Sequence, residues 1–481
     1  MSISEKYEAV IGLEVHAQLA TNSKLFCGDS TAFGAEPNTH ISPITMGHPG
    51  TLPKTNRKAV EYAIRMGLAC GCEIEKNNYF ARKNYFYPDL PKGYQVSQHT
   101  TPICKGGYVT IRVGDKESAI PLNRIHLEED AGKSIHDLDA QYTCIDLNRA
   151  GTPLIEIVTE PAIHSAEEAW QYVTEVRKLV RWLGICDGNM EEGSLRCDAN
   201  ISIRLKGEKK LGTRVEVKNL NSIRNVKKAI EFEITRMIAM AENGERIQQQ
   251  TRSFDASDDT TFAIRDKEEA NDYRYFPDPD LAPFHLTDAF IAGIQNAMPV
   301  LPKALVAQYQ QQYELGDYDV QQICEEKTSA DYFSSVAQHT PHYKAIANWM
   351  LGPVRQYLNE HSTDLETFSL APEQLALLIE LVETGKLNFS VAASRILPVL
   401  VEKETTPLSI AEEMNLLQVS DTNELETWVN EAIAAMPDKV NEYRKGKKGL
   451  IGLFVGEVKK RSKGKADPRM VTQLLEEKLK A

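Results

Sequence analysis

The sequence has no apolar run near the length of about 20 residues that a membrane-spanning helix requires, and it has no low-complexity tract or internal repeat. Its first six residues carry neither the basic nor the apolar region of a signal peptide. The eight cysteines are scattered and mostly lie in apolar contexts, which is typical of reduced thiols rather than of a disulfide framework. These absences predict a cytoplasmic protein without membrane association, with several domains in its 481 residues.

Basic residues are in the minority, since the net charge of the chain is −13. This acidic balance argues against a general coating of nucleic acid. The negative charge is unevenly distributed along the chain. Residues 438–481 hold 13 Lys and Arg against 6 Asp and Glu, so the net charge of this end is +7 and that of the remaining chain is −20. A basic end on an acidic protein suits a local contact with a phosphate backbone, although a solvated helical surface would have the same composition.

The first part of the chain has both strand and helix patterns, whereas the later part has mainly helix patterns. The first part alternates β-strands with amphipathic helices, one opened by a capping box from Ser165 to Glu168 and another beginning near Ser222. From about Pro302 the patterns are helical, and a charged, proline-containing segment at Thr406 marks a further boundary. We therefore predict an α+β protein with domains at 1–295, 296–405 and 406–481.

The segment 11–19 shows the pattern on which the functional argument depends. Side chains alternate between the two faces of a β-strand. The apolar residues from Ile11 to Leu19 therefore share one face, and Glu14 and His16 share the other. A carboxylate beside an imidazole is a grouping that binds a metal or moves a proton. An ordinary half-solvated strand is the alternative for this segment by itself.

Five strand-like segments share this design and can place acidic side chains on one polar sheet face. The candidates are Glu14, His16, Glu128 or Glu129, Glu156, Asp198 and Glu216. Such oxygen-rich sites suit Mg²⁺, and a histidine among them would also fit Mn²⁺ or Zn²⁺. Lys83, Arg196 and Lys218 would then neutralise a polyphosphate. A solvated surface is the alternative for any one of these carboxylates.

Residues 82–94, RKNYFYPDLPKGY, are too rich in proline and glycine for a helix. This aromatic loop could stack on a base and offer Lys83 and Lys92 to phosphate. It could equally be a packed Ω-loop, and the sequence leaves both alternatives open.

Seven motifs, in order along the chain, resemble those of the GatB family, which supplies one component of the tRNA-dependent amidotransferases. They are IGLEVH (11–16), RKNYFYPD (82–89), HLEEDAGKS (126–134), DLNRAGTPLIEI (146–157), MEEGSLRCDANI (190–201), KNLNS (218–222) and DYRYFP (272–277). The resemblance implies a ligase that forms carbon–nitrogen bonds with glutamine as the amide donor, in the heterotrimer GatCAB with the amidase GatA and the small protein GatC. It implies that ATP phosphorylates the side-chain carboxylate of Glu-tRNA(Gln), Asp-tRNA(Asn) or both before amidation.

The resemblance also implies a fold and a set of site residues. The first domain would be a cradle whose antiparallel sheet is similar to that of glutamine synthetase and the guanido kinases. A helical domain and a YqeY-like tail that contacts tRNA would follow. The family's metal ligands, with Mg²⁺ as the expected ion, fall on His16, Glu129 and Glu156. Its other site residues fall on Glu14, Asp198 and Glu216. We expect contacts to ATP from Lys83, Ser194, Arg196 and Lys218.

Strand alternation disagrees with the family motif at one position. Counted from His126, it puts Glu128 on the polar face and Glu129 on the apolar one. A β-bulge or the end of the strand would reset the register in favour of Glu129. We follow the motif and expect Glu129 to be the ligand.

Two further features are missing from the sequence. Many family members carry Cys-x-Cys and Cys-x-x-Cys, which would form a structural zinc site; here the pairs read CGD (27–29) and SPIT (42–45), so we expect no zinc. No Ser-Ser-Lys amidase signature is apparent, so ammonia must come from a partner, and the resemblance puts Lys83 and Lys92 near its path.

A metal-dependent hydrolase and a non-catalytic tRNA-binding scaffold are the competing functions.

Overall fold

The computed structural model describes residues 6–266, 273–403, 405–418, 422–462 and 465–480. Asp272 of the DYRYFP motif and Lys463 of the basic tail lie outside the described residues. The chain divides into two compact units, residues 1–301 and 302–481, and each is described by itself. The boundary expected at residue 406 stays a prediction.

The described residues of the first unit form seventeen strands and four helices. The strands are β1 (Tyr7–Gln18), β2 (Glu73–Ile74), β3 (Asn77–Asn78), β4 (Ala81–Asn84), β5 (Tyr94–Ser97), β6 (Cys104–Lys105), β7 (Tyr108–Val113), β8 (Lys116–Glu129), β9 (Lys133–Ile135), β10 (Cys144–Asp146), β11 (Pro153–Thr159), β12 (Leu195–Leu205), β13 (Val215–Leu220), β14 (Gln250–Asp255), β15 (Thr260–Asp266), β16 (Phe276–Pro277) and β17 (Phe284–His285). The helices are α1 (Arg57–Ala69), α2 (Ala166–Trp182), α3 (Ile223–Glu242) and α4 (Asp288–Asn296).

Thirteen of the described strands belong to one sheet, whose main path runs β15-β14-β13-β12-β1-β11-β8-β5-β4-β16. β1 lies near its centre and pairs antiparallel with β12 on one side and with β11 on the other. β8 follows β11, and β13 follows β12, also antiparallel. The predicted α+β class is confirmed.

One face of this sheet is apolar and is covered by helices. In β1, the side chains of Ile11, Leu13 and Val15 are fully buried. On this face α2 packs against α3 and β7, and α3 packs against β12. Glu14 and His16 lie on the other face and are half-buried. An antiparallel sheet can leave one face accessible in this way, and here the polar face carries the candidate site.

The two predicted amphipathic helices begin at the predicted residues. Ser165 Oγ accepts a hydrogen bond from the backbone N–H of Glu168 at 3.1 Å, and Ser222 Oγ accepts one from Asn225 N–H at the same distance. Each cap satisfies a backbone donor that the first turn of a helix leaves without a partner. Both helices are therefore fixed at the end that follows a strand of the central sheet.

The described residues of the second unit form helices joined by turns, as predicted. They are α5 (Pro302–Tyr313), α6 (Asp317–Ile323), α7 (Lys327–Ala337), α8 (Tyr343–Trp349), α9 (Arg355–Glu360), α10 (Pro372–Glu383), α11 (Phe389–Val391), α12 (Leu397–Glu402), α13 (Pro407–Glu413), α14 (Thr422–Ala434), α15 (Pro437–Arg444), α16 (Ile451–Arg461) and α17 (Pro468–Lys480). Leu425, Phe454 and Leu475 lie in a small apolar core formed by the last four helices. No helix in the described segments is long and apolar enough to cross a membrane.

Candidate active site

Three neighbouring strands bring an imidazole and two carboxylates together on the polar face. In the strand register, His16 of β1 lies opposite Glu156 of β11, and Glu128 of β8 lies opposite Leu154, two residues away from Glu156. His16 Nε2 is 3.6 Å from Glu128 Oε1 and 3.6 Å from Glu156 Oε2. The three ligand atoms lie within 4.8 Å of one another, so these residues could hold one cation. We call this group the first cluster.

Glu129 does not join this cluster, so the structure does not bring it to His16 and Glu156, and its role as a metal ligand stays a prediction. The pairing of β8 with β11 is continuous from Glu129 to Arg124, and the irregularity lies further along, after Val158. The bulge that would have turned Glu129 to the polar face is therefore absent from this described stretch, and strict alternation holds. The Glu129 carboxylate instead accepts hydrogen bonds from Lys92 Nζ at 2.5 and 2.6 Å and from the backbone N–H of Val96 at 2.9 Å.

A second histidine, His126, was missed although the same alternation puts it on the polar face. Its Nε2 lies 3.3 Å from Glu156 Oε2 and 3.6 Å from Glu128 Oε2. Its Nδ1 accepts a hydrogen bond from Arg124 Nε at 3.3 Å. His126 is thus fixed from both sides and holds the two carboxylates of the first cluster in place.

Glu14, Asp198 and Glu216 form a second cluster on the adjoining strands, as the predicted polar face requires. Their carboxylate oxygens also lie within 4.8 Å of one another. Lys218 Nζ donates to Asp198 Oδ2 at 2.5 Å and lies 3.1 Å from Glu216 Oε1. The ammonium group of Lys218 therefore lies between carboxylates of this second cluster.

Two neutral side chains orient the carboxylates of the second cluster. Asn200 Nδ2 donates to Glu14 Oε1 at 2.9 Å, and Thr251 Oγ1 of β14 donates to Glu216 Oε2 at 3.0 Å. Asn200 belongs to the polar face that alternation predicts for β12. Thr251 could not have been assigned to it, because the pairing of β14 with β13 joins segments about 35 residues apart.

Burial and neighbouring charges perturb the first cluster strongly. Burial disfavours the imidazolium, but the hydrogen bond and charge of Glu156, with the charge of Glu128, outweigh it and raise the pKa of His16 to about 9. Burial opposes the ionisation of Glu156, yet His126 and His16 hold the pKa of its carboxyl group well below the usual range. Strong coupling of an acid with two histidines is typical of a functional site.

The second cluster is perturbed in the same way. Burial, together with the charge of Glu156, raises the pKa of Glu14. Burial opposes the charge of Lys218, but the carboxylates of Asp198 and Glu216 raise the pKa of its ammonium group well above the usual value. Lys218 is consequently a permanent cation that lies between two carboxylates.

The remaining predicted contacts to ATP lie in different places. Arg196 lies opposite His16 in the register and donates from Nη2 to Asp130 Oδ1 at 2.9 Å, so its charge adjoins both clusters. Ser194 lies outside the groove that the clusters occupy, and its hydroxyl donates to Asp187 Oδ2 at 3.2 Å. The structure therefore does not bring Ser194 to the other predicted residues.

Both clusters lie in a groove of about 890 Å³. Its lining residues come from β13, β12, β1, β11, β8, β5 and β4, which are successive strands of the sheet. At about 4.8 Å between neighbouring strands, these seven strands span roughly 29 Å. Lys218 lies at one end of the groove, and Lys83 lies at the other with the side chains of Tyr85 and Tyr273.

A second cavity of about 340 Å³ adjoins the groove. Lys92 and Glu129 line it, and so do Lys24 and Arg82. Asp130 lines both cavities. Because Glu128 and Glu129 lie on opposite faces of β8, the end of this strand separates the groove from the second cavity.

Two residues at the missing cysteine positions, Asp29 and Thr45, are hydrogen-bonded to each other. Thr45 Oγ1 donates to Asp29 Oδ2 at 2.5 Å, and Cys27 Sγ lies 3.5 Å from Thr45 Oγ1. Each of the eight cysteines, all within the described segments, is a free thiol. The expected absence of zinc stays a prediction.

The fold and the groove define an α+β protein with an enzyme-like site, in which two carboxylate clusters lie on the accessible face of an antiparallel sheet. The family models of the GatB/GatE catalytic domain and of the GatB domain match residues 9–292 and 331–479. The chain belongs to the GatB family, the B subunits of the aspartyl/glutamyl-tRNA(Asn/Gln) amidotransferases. The resemblance of the seven motifs is confirmed, and the hydrolase alternative receives no support.

Three similar relatives are each named as the B subunit of an aspartyl/glutamyl-tRNA(Asn/Gln) amidotransferase. The protein from Nitratidesulfovibrio vulgaris is 48% identical over 98% of this chain and 99% of its own length. The one from Thermodesulfovibrio yellowstonii is 47% identical over 98% of each chain. The one from Persephonella marina is 45% identical over 99% of this chain and 100% of its own length. The similarity therefore covers both units.

Proposed function

We propose that this chain is the component of a glutamine-dependent tRNA amidotransferase that activates the substrate and joins it to ammonia. It uses ATP to phosphorylate the side-chain carboxylate of Glu-tRNA(Gln), Asp-tRNA(Asn) or both, and ammonia then replaces the phosphate. The observation that carries the proposal is the pair of adjoining clusters in one groove, with Arg196 and Lys218 beside them. The names of the relatives supply the substrate class.

The chemistry explains why a carboxylate must be activated. Direct attack of ammonia on a carboxylate would have to expel oxide, which is a very poor leaving group. In the first step a carboxylate oxygen bonds to the γ-phosphorus of ATP, the bond from that phosphorus to the β–γ bridging oxygen breaks, and ADP leaves. In the second step the ammonia nitrogen bonds to the acyl carbon, inorganic phosphate leaves, and the nitrogen loses a proton. The product is the side-chain amide.

The two clusters fit divalent cations by the chemistry of their donors. The first cluster offers two carboxylates and the imidazole of His16, and the second offers the carboxylates of Glu14, Asp198 and Glu216. Oxygen donors suit Mg²⁺, and the imidazole also admits Mn²⁺. Bound there, such cations would offset the charge of a polyphosphate that meets an anionic substrate. Glu128, rather than Glu129, is the third residue that we assign to the first cluster.

The chain's own cations would position the nucleotide. Arg196 and Lys218 carry permanent positive charge next to the clusters, which is the arrangement that binds phosphate oxygens. Both are ion-paired, Arg196 with Asp130 and Lys218 with Asp198. We infer that polyphosphate oxygens replace these carboxylates as partners of the two cations, so that neither cation is left buried without a counter-ion.

The second cavity is the entry that we assign to ammonia from the amidase partner. It reaches the groove beside Asp130 and is lined by the buried pair of Lys92 and Glu129. Lys92 lines this cavity, which supports its assignment to the proposed ammonia path. Lys83 lies at the aromatic end of the groove instead of in this cavity. The amidase GatA and the small protein GatC complete the heterotrimer, since the relatives are named as one component of a larger enzyme.

We also propose that the basic C-terminal helices contact tRNA without taking part in chemistry. Phe454 and Val458 of α16 are buried in the small core, which leaves Lys459 and Lys460 exposed. Lys447 is exposed but pairs with Glu442, and Arg461 pairs with Glu457, so part of the basic charge is already neutralised. The exposed lysines of α16 are therefore the better candidates for phosphate.

The test is to co-express the chain with its partner proteins and to measure ADP and amide formation with each misacylated tRNA, ATP and glutamine. We expect ATP hydrolysis to depend on a misacylated tRNA, and amide formation to depend on ATP. Equal ATP hydrolysis in the absence of tRNA, or amide formation in the absence of ATP, would contradict the proposal. The two tRNAs, tested separately, decide the cognate substrate.

A further inference from the structure

Aromatic side chains border one end of the groove and are not accounted for by the two clusters. They come from the loop that follows β4 and from the segment just before β16, and we call Tyr85, Phe86, Tyr87 and Tyr273 the aromatic rim. Phe86 is 79% exposed and Tyr87 is 52% exposed. Aromatic surface of this extent at the edge of a cavity is typical of a binding surface.

The aromatic rim is held in place by contacts behind it. The ring of Tyr85 packs edge-on against Tyr87 at 5.7 Å and against Tyr273 at 6.0 Å between centroids. Asn84 Nδ2 donates to the backbone oxygen of Arg274 at 2.8 Å, which ties the two segments together. The loop is fixed again at Asp89, whose backbone oxygen accepts from Gly132 N–H at 2.8 Å. The exposed rings are therefore presented by a pre-ordered loop.

A positive charge accompanies the rings. Lys83 Nζ lies 5.4 Å from the centroid of Tyr85 and 4.9 Å from that of Tyr273. Aromatic faces beside a cationic side chain are the combination that binds single-stranded nucleic acid, because bases stack on the rings and phosphates contact the cation. Unpaired bases are also the parts of an RNA that proteins can reach with aromatic side chains.

The proposed reaction brings two nucleotides into the groove, ATP and the tRNA nucleotide that carries the amino acid. The position of the rim indicates which of them it contacts. Arg196 and Lys218, which suit the polyphosphate of ATP, lie on β12 and β13, whereas the rim adjoins β4 at the other end. The second cavity meets the groove beside Asp130 at the end of β8, a strand that lies between those of the two cations and β4. The acyl carbon must lie where ammonia arrives. The nucleotide that carries the amino acid then extends towards the rim, away from ATP.

We infer that the aromatic rim stacks on the unpaired bases at the 3′ end of the substrate tRNA, with Lys83 placed for the adjoining phosphates. This inference rests on the proposed function and adds the part of the substrate that the groove itself recognises. The groove volume of about 890 Å³ lies near the upper end of the range of about 300–1,000 Å³ that is typical of ligand pockets, and the groove extends along seven strands of the sheet.

The experiment uses the full complex and the variants Phe86→Ala and Tyr87→Ala. We expect the KM for misacylated tRNA to rise about 5- to 160-fold for each lost stack, with the KM for ATP unchanged. Phe86→Trp and Tyr87→Phe keep a ring and should restore most of the affinity. Tyr108→Ala is the control, because Tyr108 is 54% exposed on β7 and does not line the groove.

A short competitor separates the rim from the basic tail. A nonhydrolysable aminoacylated CCA trinucleotide presents the 3′ end alone, and its inhibition constant should rise in Phe86→Ala as the KM for tRNA does. A rise in the KM for ATP with an unchanged KM for tRNA would overturn the inference, and so would equal behaviour of Phe86→Ala and Tyr108→Ala. Wild-type complex that hydrolyses ATP without tRNA would instead overturn the proposed function, and this is seen before any variant is compared.

Discussion

Glu128 and Glu129 offer a matched test of the site, because they are adjacent, have the same side chain and lie on opposite faces of β8. We expect Glu128→Gln to lower tRNA-dependent phosphorylation at least about 100-fold, which corresponds to about 2.7 kcal/mol. At about 4 Å and an effective dielectric constant of about 20, one lost carboxylate removes roughly 8 kcal/mol of Coulomb attraction for a divalent cation. Desolvation, and the remaining charge of Glu156, offset most of this value.

Glu129→Gln should change stability more than phosphorylation. Glu129 is only 3% exposed and pairs with Lys92, so the variant leaves a largely buried ammonium group without its counter-ion. Breaking a buried pair in this way costs about 3–5 kcal/mol of the free energy of unfolding. The double variant Lys92→Met/Glu129→Gln removes both charges and should recover part of that loss. It therefore separates stability from catalysis.

The assay measures ADP formation in the complex with misacylated tRNA, ATP and a range of Mg²⁺ or Mn²⁺ concentrations. Glu128→Gln should need more cation for half-maximal activity, whereas Glu129→Gln should need as much as the wild type. Thermal unfolding of each complex serves as the control for folding. The reasoning would be refuted by the opposite pattern, in which Glu129→Gln raises the cation requirement and Glu128→Gln leaves it unchanged.

Three further predictions follow from the same geometry. Because a cation must displace the proton of His16, whose pKa is raised to about 9, Mn²⁺ affinity should increase by up to about tenfold per pH unit as the pH rises towards 9; a flat profile in a binding titration would contradict this. Lys92→Met should lower amide formation with glutamine more than with free ammonium chloride, and equal losses would remove Lys92 from the ammonia path. Deleting residues 406–481 should raise the KM for tRNA and flatten its salt dependence, whose log–log slope is roughly −0.7 to −0.9 per phosphate contact, while glutaminase activity of the complex is unchanged; an unaltered slope would show that the basic charge is only a solvated surface.

Alternation along the strands was sufficient to predict most of the site. The period of a β-strand fixes which side chains share a face, so Glu14, His16 and Asp198 could be assigned to the polar face from the sequence alone. The same rule assigns Glu128 to the polar face, and it assigns His126 to that face as well. The family motif and the strand alternation indicate different glutamates, because alternation depends on a register that the motif does not contain.

The aromatic end of the groove could not have been predicted in the same way. Tyr273 reaches Tyr85 because β16 pairs with β4, with Phe276 opposite Arg82, across nearly 200 residues of chain. No local periodicity encodes a pairing at that separation. The sequence could therefore indicate the composition of the loop at 82–94, but not the second segment that completes the rim.

The place of Lys218 has a consequence for the folded protein before any ligand arrives. Three carboxylates whose oxygens lie within 4.8 Å of one another repel, and each pair at about 4 Å costs roughly 4 kcal/mol at an effective dielectric constant of about 20. The ammonium group of Lys218, tethered to the same strand as Glu216, acts as an internal counter-ion. This internal counter-ion therefore offsets part of the repulsion among the three carboxylates in the folded protein before any cation binds.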